Sequence, residues 1–309
     1  MRAVIPALPL IALGCGAALS EPPPSITLPT ANPSTLRAVL VGDIGRTGAN
    51  HQRVADSVRS VCAMRGCDLI LFPGDNLYPR GVQEGEAHLL EEILAPYTAA
   101  GAPLMLVLGN HDWGHGFDKS AAQRQLDAAR EHDEWVLPSL DYEVNAGPAM
   151  LLAVDTTRAF WDGPRGRERW VHERLTSSES PWKVVLGHHT LRSDGPHGDA
   201  GHYEGWTGVP WMSGNGVVKM LEQNVCEHAD LYLAGHDHSR QWLMDCGTHF
   251  LVSGAGASTT ELMRDRSIRQ WGTASLGSIW FELGTELTVA FYDDRANLEQ
   301  EFRSPRPSR

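Results

Sequence analysis

The chain has 309 residues, of which 42% are hydrophobic, a net charge of −12 and a pI of about 5.6. This length supports one large domain with a substantial core. The sequence has no long basic run. Nucleic acid is therefore excluded as the main partner, because affinity for a phosphate backbone needs clustered Lys and Arg.

The first twenty residues have the composition of an export signal peptide. Arg2 is the only charged residue, and Ala3–Leu19 is apolar with small residues near its end. Leu13-Gly14-Cys15 also resembles a lipoprotein processing site, so lipidation at Cys15 is the alternative to simple cleavage. A lipid anchor there would be the protein's only contact with a membrane. We expect an exported protein that is periplasmic, secreted or lipid-anchored at the cell surface.

A Pro/Ser-rich segment over residues 21–35 is predicted to be an unstructured linker, followed by one catalytic domain over residues 36–305. From Arg37 onward, short β-branched runs alternate with segments of helical spacing. This alternation is typical of an α/β fold. The later segments from Thr248 to Tyr292 have the pattern of antiparallel strands, which makes the sheet mixed. The helices are predicted at Asn50–Met64, Glu84–Tyr97, Lys119–Arg130, Arg165–Leu175 and Gly216–Glu227.

Four cysteines remain when Cys15 is set aside, and an even number in an exported chain indicates disulfides. Cys62 and Cys67 flank a helix-to-strand turn. Cys226 and Cys246 flank a predicted strand, which a bond between them would fasten. The alternative is four buried thiols. No pair has metal-binding spacing.

Five predicted strands end in residues that can bind a metal ion. Each runs through a glycine, which permits close packing and a sharp turn. Ligands gather outside the carboxyl ends of the strands in α/β sheets, so we expect the five loops to converge on one crevice. The segments are LVGD ending at Asp43, LFPGD ending at Asp75, LVLGNH ending at His111, VLGHH ending at His189 and AGHDH ending at His238.

The order of these motifs, GDIG, GDNLY, GNHD, VLGHH and GHDH, resembles that of the calcineurin-like metallophosphoesterases, and specifically of the purple acid phosphatases. The stretch GDNLYPRGV is most similar to the small, mammalian-type, tartrate-resistant branch. The likeness covers nearly the whole chain from about Arg37. It implies a four-layer α-β-β-α sandwich of two mixed sheets flanked by helices, with the metal site at the carboxyl ends of the strands.

The resemblance also implies a dinuclear centre. In it, Asp43, Asp75, Tyr78 and His238 would hold Fe(III), with Asp75 bridging to the second ion. That ion would be divalent Fe, Zn or Mn, and the ligands completing its site would be Asn110, His188 and His236. The chemistry agrees, because a tyrosine with an ordinary pKa of about 10 stays ionised near neutral pH only on a strongly Lewis-acidic ion.

Carried over to this chain, the family activity is hydrolysis of phosphomonoesters by attack of a metal-held hydroxide on phosphorus. The expected substrate is a small-molecule phosphate ester, and we expect a monomer. His111 lies beside Asn110, and His197 follows His188 by nine residues and precedes a glycine, as in the family. Both are predicted to bind phosphate and to protonate the leaving group. Which histidine does which is left open.

Two other functions are compatible with parts of the pattern. A phosphodiesterase or nucleotide hydrolase of the same fold would use two divalent ions, but that branch usually lacks a residue equivalent to Tyr78. A surface lipoprotein with a purely structural metal site would not need substrate-facing groups such as His111 and His197.

Other polar residues near these motifs are expected to have ordinary roles. His189 is predicted to line the pocket or support a ligand, and Asp112 to orient an imidazole. The loops at residues 80–86, 114–120 and 196–212 are expected to set specificity. Surface or loop positions are predicted for His115, His202 and His249.

Overall fold

The computed structural model describes residues 22–163, 166–203, 208–209 and 212–306. The predicted signal peptide and the lipidation site at Cys15 lie outside these residues. Within the described ranges, no helix combines the length and apolar character needed to cross a membrane.

Six helices and fifteen strands are present in the described part of the chain, in the alternating order that the sequence predicts. The helices are α1 (Ala49–Arg65), α2 (Ala87–Thr98), α3 (Lys119–Ala129), α4 (Thr156–Asp162), α5 (Arg167–Ser177) and α6 (Asn215–Val225). The strands are β1 (Ser25–Leu28), β2 (Leu36–Leu40), β3 (Leu69–Pro73), β4 (Leu104–Val107), β5 (Trp135–Val136), β6 (Tyr142–Ala146), β7 (Ala149–Ala153), β8 (Trp182–Leu186), β9 (Leu231–Ala234), β10 (Arg240–Asp245), β11 (Thr248–Ser253), β12 (Arg269–Thr273), β13 (Gly277–Leu283), β14 (Glu286–Asp293) and β15 (Leu298–Pro305).

The strands form two mixed sheets. The eight-stranded sheet has the order β1-β6-β7-β8-β9-β11-β10-β12, and the seven-stranded sheet has the order β15-β14-β13-β2-β3-β4-β5. In the first sheet β7, β8 and β9 run parallel, and in the second β2, β3 and β4 run parallel. β11 and β5 extend these two parallel runs by one strand each, so each sheet presents four adjacent carboxyl ends on the same side.

Alternating side chains of the central strands belong to two separate cores. On β7, Leu151 and Ala153 face the core between the sheets, whereas Met150 and Leu152 face a second core that contains residues of α5 and α6. Strands that are buried on both faces have continuous apolar sequences, which explains runs such as AMLLA. The result is the predicted four-layer sandwich.

The first strand lies in the segment that was expected to be an unstructured linker. Ser25–Leu28 pairs in parallel with β6 at the edge of the eight-stranded sheet. Asp68 accepts hydrogen bonds from the backbone N–H groups of Ala31 and Arg37, which fasten the chain that follows. The prediction of disorder is wrong for this segment. Alternate apolar residues, Ile26 and Leu28, are enough to dock it on the sheet edge.

Both predicted disulfides are present. Cys62 is bonded to Cys67, and Cys226 is bonded to Cys246. The second bond joins the end of α6 to the turn between β10 and β11, and so encloses β9, which leads into the AGHDH segment. The alternative of four free thiols is excluded in this structure.

Candidate metal centre

The predicted metal ligands lie where the carboxyl ends of the two sheets meet. The loops after β2, β3 and β4 of the seven-stranded sheet carry the oxygen ligands, and the loops after β8 and β9 of the eight-stranded sheet carry the histidines. The crevice expected at the edge of an α/β sheet is therefore a seam between two sheets. A hydrogen bond crosses this seam, because the backbone N–H of His236 donates to the side-chain Oδ2 of Asp43 at 2.9 Å.

A first group of ligand atoms surrounds one point of this seam. The hydroxyl of Tyr78 lies 3.0 Å from Asp43 Oδ1 and 3.1 Å from His238 Nε2. His238 Nε2 also lies 3.3 Å from Asp43 Oδ1. The three side chains thus aim a phenol, a carboxylate and an imidazole at the same small volume.

A second group faces an adjacent point. His188 Nε2 lies 2.9 Å from Asn110 Oδ1 and 3.2 Å from His236 Nδ1. Asp75 joins this group, since its Oδ1 lies 3.5 Å from His188 Nε2. One ligand atom each from Asp43, Asp75 and His188 lies within 4.8 Å of the other two, so Asp75 is close to a member of each group.

Hydrogen bonds behind the rings of two histidines fix which nitrogen faces the site. His188 Nδ1 lies 2.8 Å from the carbonyl oxygen of Pro73, to which it can only donate. The neutral ring therefore presents an unprotonated Nε2 to the site. His238 Nδ1 lies 2.8 Å from Ser258 Oγ, which holds Nε2 toward Asp43. Such outer hydrogen bonds are typical of metal-binding histidines.

The carboxylates of the site favour positive charge among the predicted ligands. Burial opposes a charge on His188, yet the nearby Asp75 and Asp43 outweigh it and raise the pKa of this imidazole. Burial likewise opposes a charge on His238, but its bond to Asp43 raises the pKa. Burial and the two carboxylates raise the pKa of Tyr78 far above its usual value. These shifts all favour a proton or another cation at this part of the site.

These residues fit a pair of metal ions on two grounds. His188 Nε2 faces both Asn110 Oδ1 and His236 Nδ1, and lone pairs that face one another are stable only around a cation or a proton. Burial and the neighbouring histidines lower the pKa of His236 well below its usual value, which favours a neutral ring with a free lone pair. The mixture of carboxylate, phenol, amide and imidazole matches hard and borderline metal ions.

The backbone is strained at three of these ligand positions. Asp43, Asp75 and His236 have φ angles of 56°, 55° and 68°, in the left-handed region that most side chains avoid. Close packing adds to this constraint, because a Cβ atom on Gly109 would lie 2.1 Å from Asp75 Oδ1. Such strain occurs mainly at functional sites, where the surrounding fold over-determines the conformation.

A family model described as calcineurin-like phosphoesterase matches residues 36–240. The chain belongs to this family. Purple acid phosphatase 3 of Arabidopsis thaliana is 28% identical over 255 residues, which cover 74% of this chain and 65% of that protein, just under two thirds of its length. Tartrate-resistant acid phosphatase type 5 of Mus musculus is 26% identical over 302 residues, covering 85% of this chain and 84% of that protein.

Solved structures of the same fold include two that cover most of this chain. One is described as GAP50, the anchor in the inner membrane complex of Plasmodium, with a TM-score of 0.71, 14% identity and coverage of 89% of this chain and 90% of that one. The other is purple acid phosphatase PPD1 from yellow lupin seeds, with a TM-score of 0.68, 17% identity and coverage of 88% and 54%. The fold prediction is confirmed, and with the named relatives the chain is a metallophosphoesterase-type hydrolase.

In this phosphoesterase, the two histidines predicted to contact substrate lie beside the ligand groups. His111 Nδ1 donates to the carbonyl oxygen of Pro79 at 2.6 Å, which leaves Nε2 on the side of Asp75, at 3.9 Å from Oδ2. The ring of His197 stacks on that of His236 with centroids 4.1 Å apart. His111 is therefore near Asp75, and His197 is near His236.

Asp112 has a different role from the one expected. Its buried carboxylate contacts no imidazole in the described structure, and instead accepts hydrogen bonds from the backbone N–H groups of Asn76, Leu77 and Gly109 at 2.8–3.1 Å. It thereby joins the loop of Asp75 to the loop after β4. Burial and the charge of Asp75 raise the pKa of Asp112 to about 7.

Two supporting residues were not identified from the sequence. Asp237 is buried between two predicted ligands in the chain, and its carboxylate accepts hydrogen bonds from the Ser193 hydroxyl and from the N–H of His197 at 2.9 Å. Thr156 Oγ1 accepts from the N–H groups of His188 and His189 at 3.1 Å and 3.0 Å. Their partners lie elsewhere in the chain, so no local pattern in the sequence marks these two residues.

The structure agrees with the predicted positions of some of the remaining histidines and corrects the predicted position of His249. His189 is buried, with Nδ1 3.0 Å from Thr156 Oγ1, and it borders a cavity beside the ligands, as expected. His115 is exposed but borders the same cavity. His249 was expected on the surface or in a loop, and that prediction is wrong. It is buried on β11, where its Nδ1 accepts from Trp242 Nε1, because apolar neighbours on both sides keep the strand inside.

Proposed function

We propose that this protein hydrolyses phosphomonoesters at a dinuclear Fe(III)–M(II) centre, as an acid phosphatase. The observation that supports it most is the convergence of seven side chains into two groups that share Asp75, with a phenol in only one of them. A site with two divalent ions would have no need for that phenol. The more general function, metal-dependent hydrolysis of phosphate esters, is supported by the family and the named relatives.

The proposed ligands of the two ions differ. Fe(III) would be held by Asp43, Tyr78 and His238, and the divalent ion, Fe, Zn or Mn, by Asn110, His188 and His236, with Asp75 common to both. When bound, the two ions supply a nucleophile from water at neutral pH and neutralise charge on the phosphoryl oxygens. The remaining steps depend on side chains of the protein.

His111 and His197 are the groups available for those steps. The bond from His111 Nδ1 to the Pro79 carbonyl fixes the ring and leaves Nε2 to contact a phosphoryl oxygen or, when protonated, to donate to the leaving oxygen. The loop of His197 is fixed through its N–H bond to Asp237. Both histidines are therefore held in position before the substrate binds.

The Fe(III) assignment predicts a visible colour that depends on Tyr78. A tyrosinate bound to Fe(III) absorbs visible light, so the purified protein should be purple and Tyr78→Phe should be colourless. The measurement is the visible spectrum together with metal analysis of both proteins. A colourless, fully active wild type that holds only two divalent ions would contradict the assignment.

Activity assays on the same purified protein distinguish the proposed phosphomonoesterase from the alternative function. A phosphodiesterase or nucleotide hydrolase on this fold would hydrolyse bis(p-nitrophenyl) phosphate faster than p-nitrophenyl phosphate. The proposed phosphomonoesterase should show the opposite order. Activity on neither ester, by protein that contains its metal ions, would refute both and favour a structural metal site.

His111→Ala and His197→Ala are each expected to lower kcat for p-nitrophenyl phosphate by roughly 100-fold, the usual range for loss of one general acid or base. Metal content should be unchanged, because neither side chain is among the proposed ligands. His202→Ala is the matched control, since His202 is exposed on the loop that carries His197. Wild-type kcat in the double variant would refute the assignment of both histidines.

We further propose that the protein is exported. Two disulfides within the described residues are typical of oxidising compartments. The apolar first twenty residues have the pattern of a signal peptide, with lipidation at Cys15 as the alternative to cleavage. A small phosphate ester is the proposed substrate, and the monomer is the proposed state.

A further inference from the structure

A cavity of about 360 Å³ lies beside the proposed ligands of the divalent ion. Asn110 and His236 form part of its lining, so a phosphoryl group held at the metal centre would lie next to it. The part of a phosphate ester that leaves after cleavage is attached to that group through one oxygen. The leaving group can therefore enter this cavity.

Four aromatic side chains also line the cavity, and we call them the aromatic wall: Phe117, Phe160, Trp161 and Tyr203. The rings pack on one another, with centroids 4.4 Å apart for Phe117 and Trp161 and 4.8 Å apart for Phe160 and Trp161. Phe160 is nearly parallel to Tyr203, at an interplanar angle of 19°. These contacts create a broad apolar surface beside the ligands.

Two apolar side chains that border the cavity are exposed to solvent. Phe117 has 71% of its surface exposed, and Met212, which also borders the cavity, has 37% exposed. Both belong to the loops expected from the sequence to set specificity. A cluster of exposed apolar side chains next to polar groups is typical of a ligand-binding surface.

The lining also restricts the charge of the occupant. No Lys, Arg, Asp or Glu is among the described residues that border the cavity. A leaving group with a second phosphate or a carboxylate would find no permanent countercharge on this lining, whereas a neutral planar ring could stack on the aromatic wall.

We propose that the cavity binds the leaving group of the substrate, and that the preferred substrates are phosphomonoesters whose leaving group carries a neutral aromatic or heteroaromatic ring. This inference rests on the proposed phosphomonoesterase function. It adds a specificity role for Trp161 and Phe117, which are not among the proposed metal ligands.

The test compares benzyl phosphate with ethyl phosphate. Both release a primary alcohol of similar acidity, so the ratio of kcat/KM reports contacts with the ring rather than leaving-group reactivity. We expect a ratio of about tenfold or more in the wild type, which is the usual discrimination from apolar contacts in a pocket. Trp161→Ala and Phe117→Ala should each reduce the ratio severalfold and leave the activity on ethyl phosphate unchanged.

Met64→Ala is the matched control, because Met64 is an apolar side chain 60% exposed on α1 and does not border the cavity. Its ratio should equal that of the wild type. The Phe117→Ala variant should fold normally, because a side chain so exposed contributes little to the core. It therefore keeps the test valid even if Trp161→Ala fails to fold. Inhibition constants of benzylphosphonate and methylphosphonate give a second readout, which measures binding without turnover.

The outcomes separate the two proposals. Hydrolysis of both esters with a ratio near one, or a ratio that neither variant changes, would overturn the aromatic subsite and leave the phosphomonoesterase function standing. Failure to hydrolyse either ester would refute the proposed function. In that case equal binding of the two phosphonates would overturn the subsite as well, and preferential binding of benzylphosphonate would support it.

Discussion

Asp75→Asn is expected to abolish stable metal binding and to lower phosphatase activity by about 1,000-fold or more, because its carboxylate is the proposed bridge between the two ions and lies close to members of both ligand groups. The substitution preserves size but removes a negative charge and replaces an oxygen with an amide nitrogen, which cannot bind a cation. The N–H of His111 can still donate to the remaining oxygen. The fold should therefore survive while the site fails.

The matched control is Asp68→Asn at the opposite end of the same strand. Asp68 is also buried and accepts two backbone hydrogen bonds, but it lies on the edge away from the ligands. It should lower the melting temperature without changing metal content. The measurements are metal analysis, kcat for p-nitrophenyl phosphate and thermal unfolding, and unchanged metal content in Asp75→Asn would contradict the bridging role.

Asp112→Ala is expected to be the most destabilising single change near the site. It leaves the backbone N–H groups of Asn76, Leu77 and Gly109 buried without their acceptor, at a cost of about 3–5 kcal/mol in the free energy of unfolding. Two ligand-bearing loops lose their common fastening, so metal content should fall together with stability. Chemical denaturation and metal analysis measure the two effects.

A second carboxylate on the same loop provides the comparison. Asp118 accepts from the N–H groups of Ser120 and Ala121 at the start of α3, and Asp118→Ala should cost only about 1 kcal/mol. Its metal content should equal that of the wild type. If Asp112→Ala were no more destabilising than Asp118→Ala, the joining of the two loops by Asp112 would be refuted.

The strands and the placement of the metal ligands were predictable because both depend on local sequence. Apolar runs that end in glycine and a ligand, such as the run before Asp43, encode a buried strand and a turn at its end. Strand β8, at Trp182–Leu186, likewise runs directly into the glycine and histidines of VLGHH. The backbone at GHDH is a bend with a positive φ at His236, so the different groups that His236 and His238 join did not follow from the local pattern.

What could not be predicted depends on partners far away in the chain. The acceptors that Asp112 and Asp237 provide are used by backbone groups 3–40 residues away, and nothing in the local pattern marks those partners. The short helix α4 follows a strand directly and lacks a long apolar period, so the aromatic residues that it contributes beside the ligands were not anticipated. The strand at Ser25–Leu28 was hidden by flanking prolines.

The seam between the two sheets has a consequence for how the protein responds to metal supply. Cations bound there would hold the carboxylate loops of one sheet against the histidine loops of the other, and unfolding would have to release them. Stability then becomes a function of free metal concentration, with a gain of about 2.7 kcal/mol when the metal is 100-fold above its dissociation constant. Starvation for metal would lower the protein's resistance to proteolysis as well as its activity, so active and long-lived molecules would be the same population.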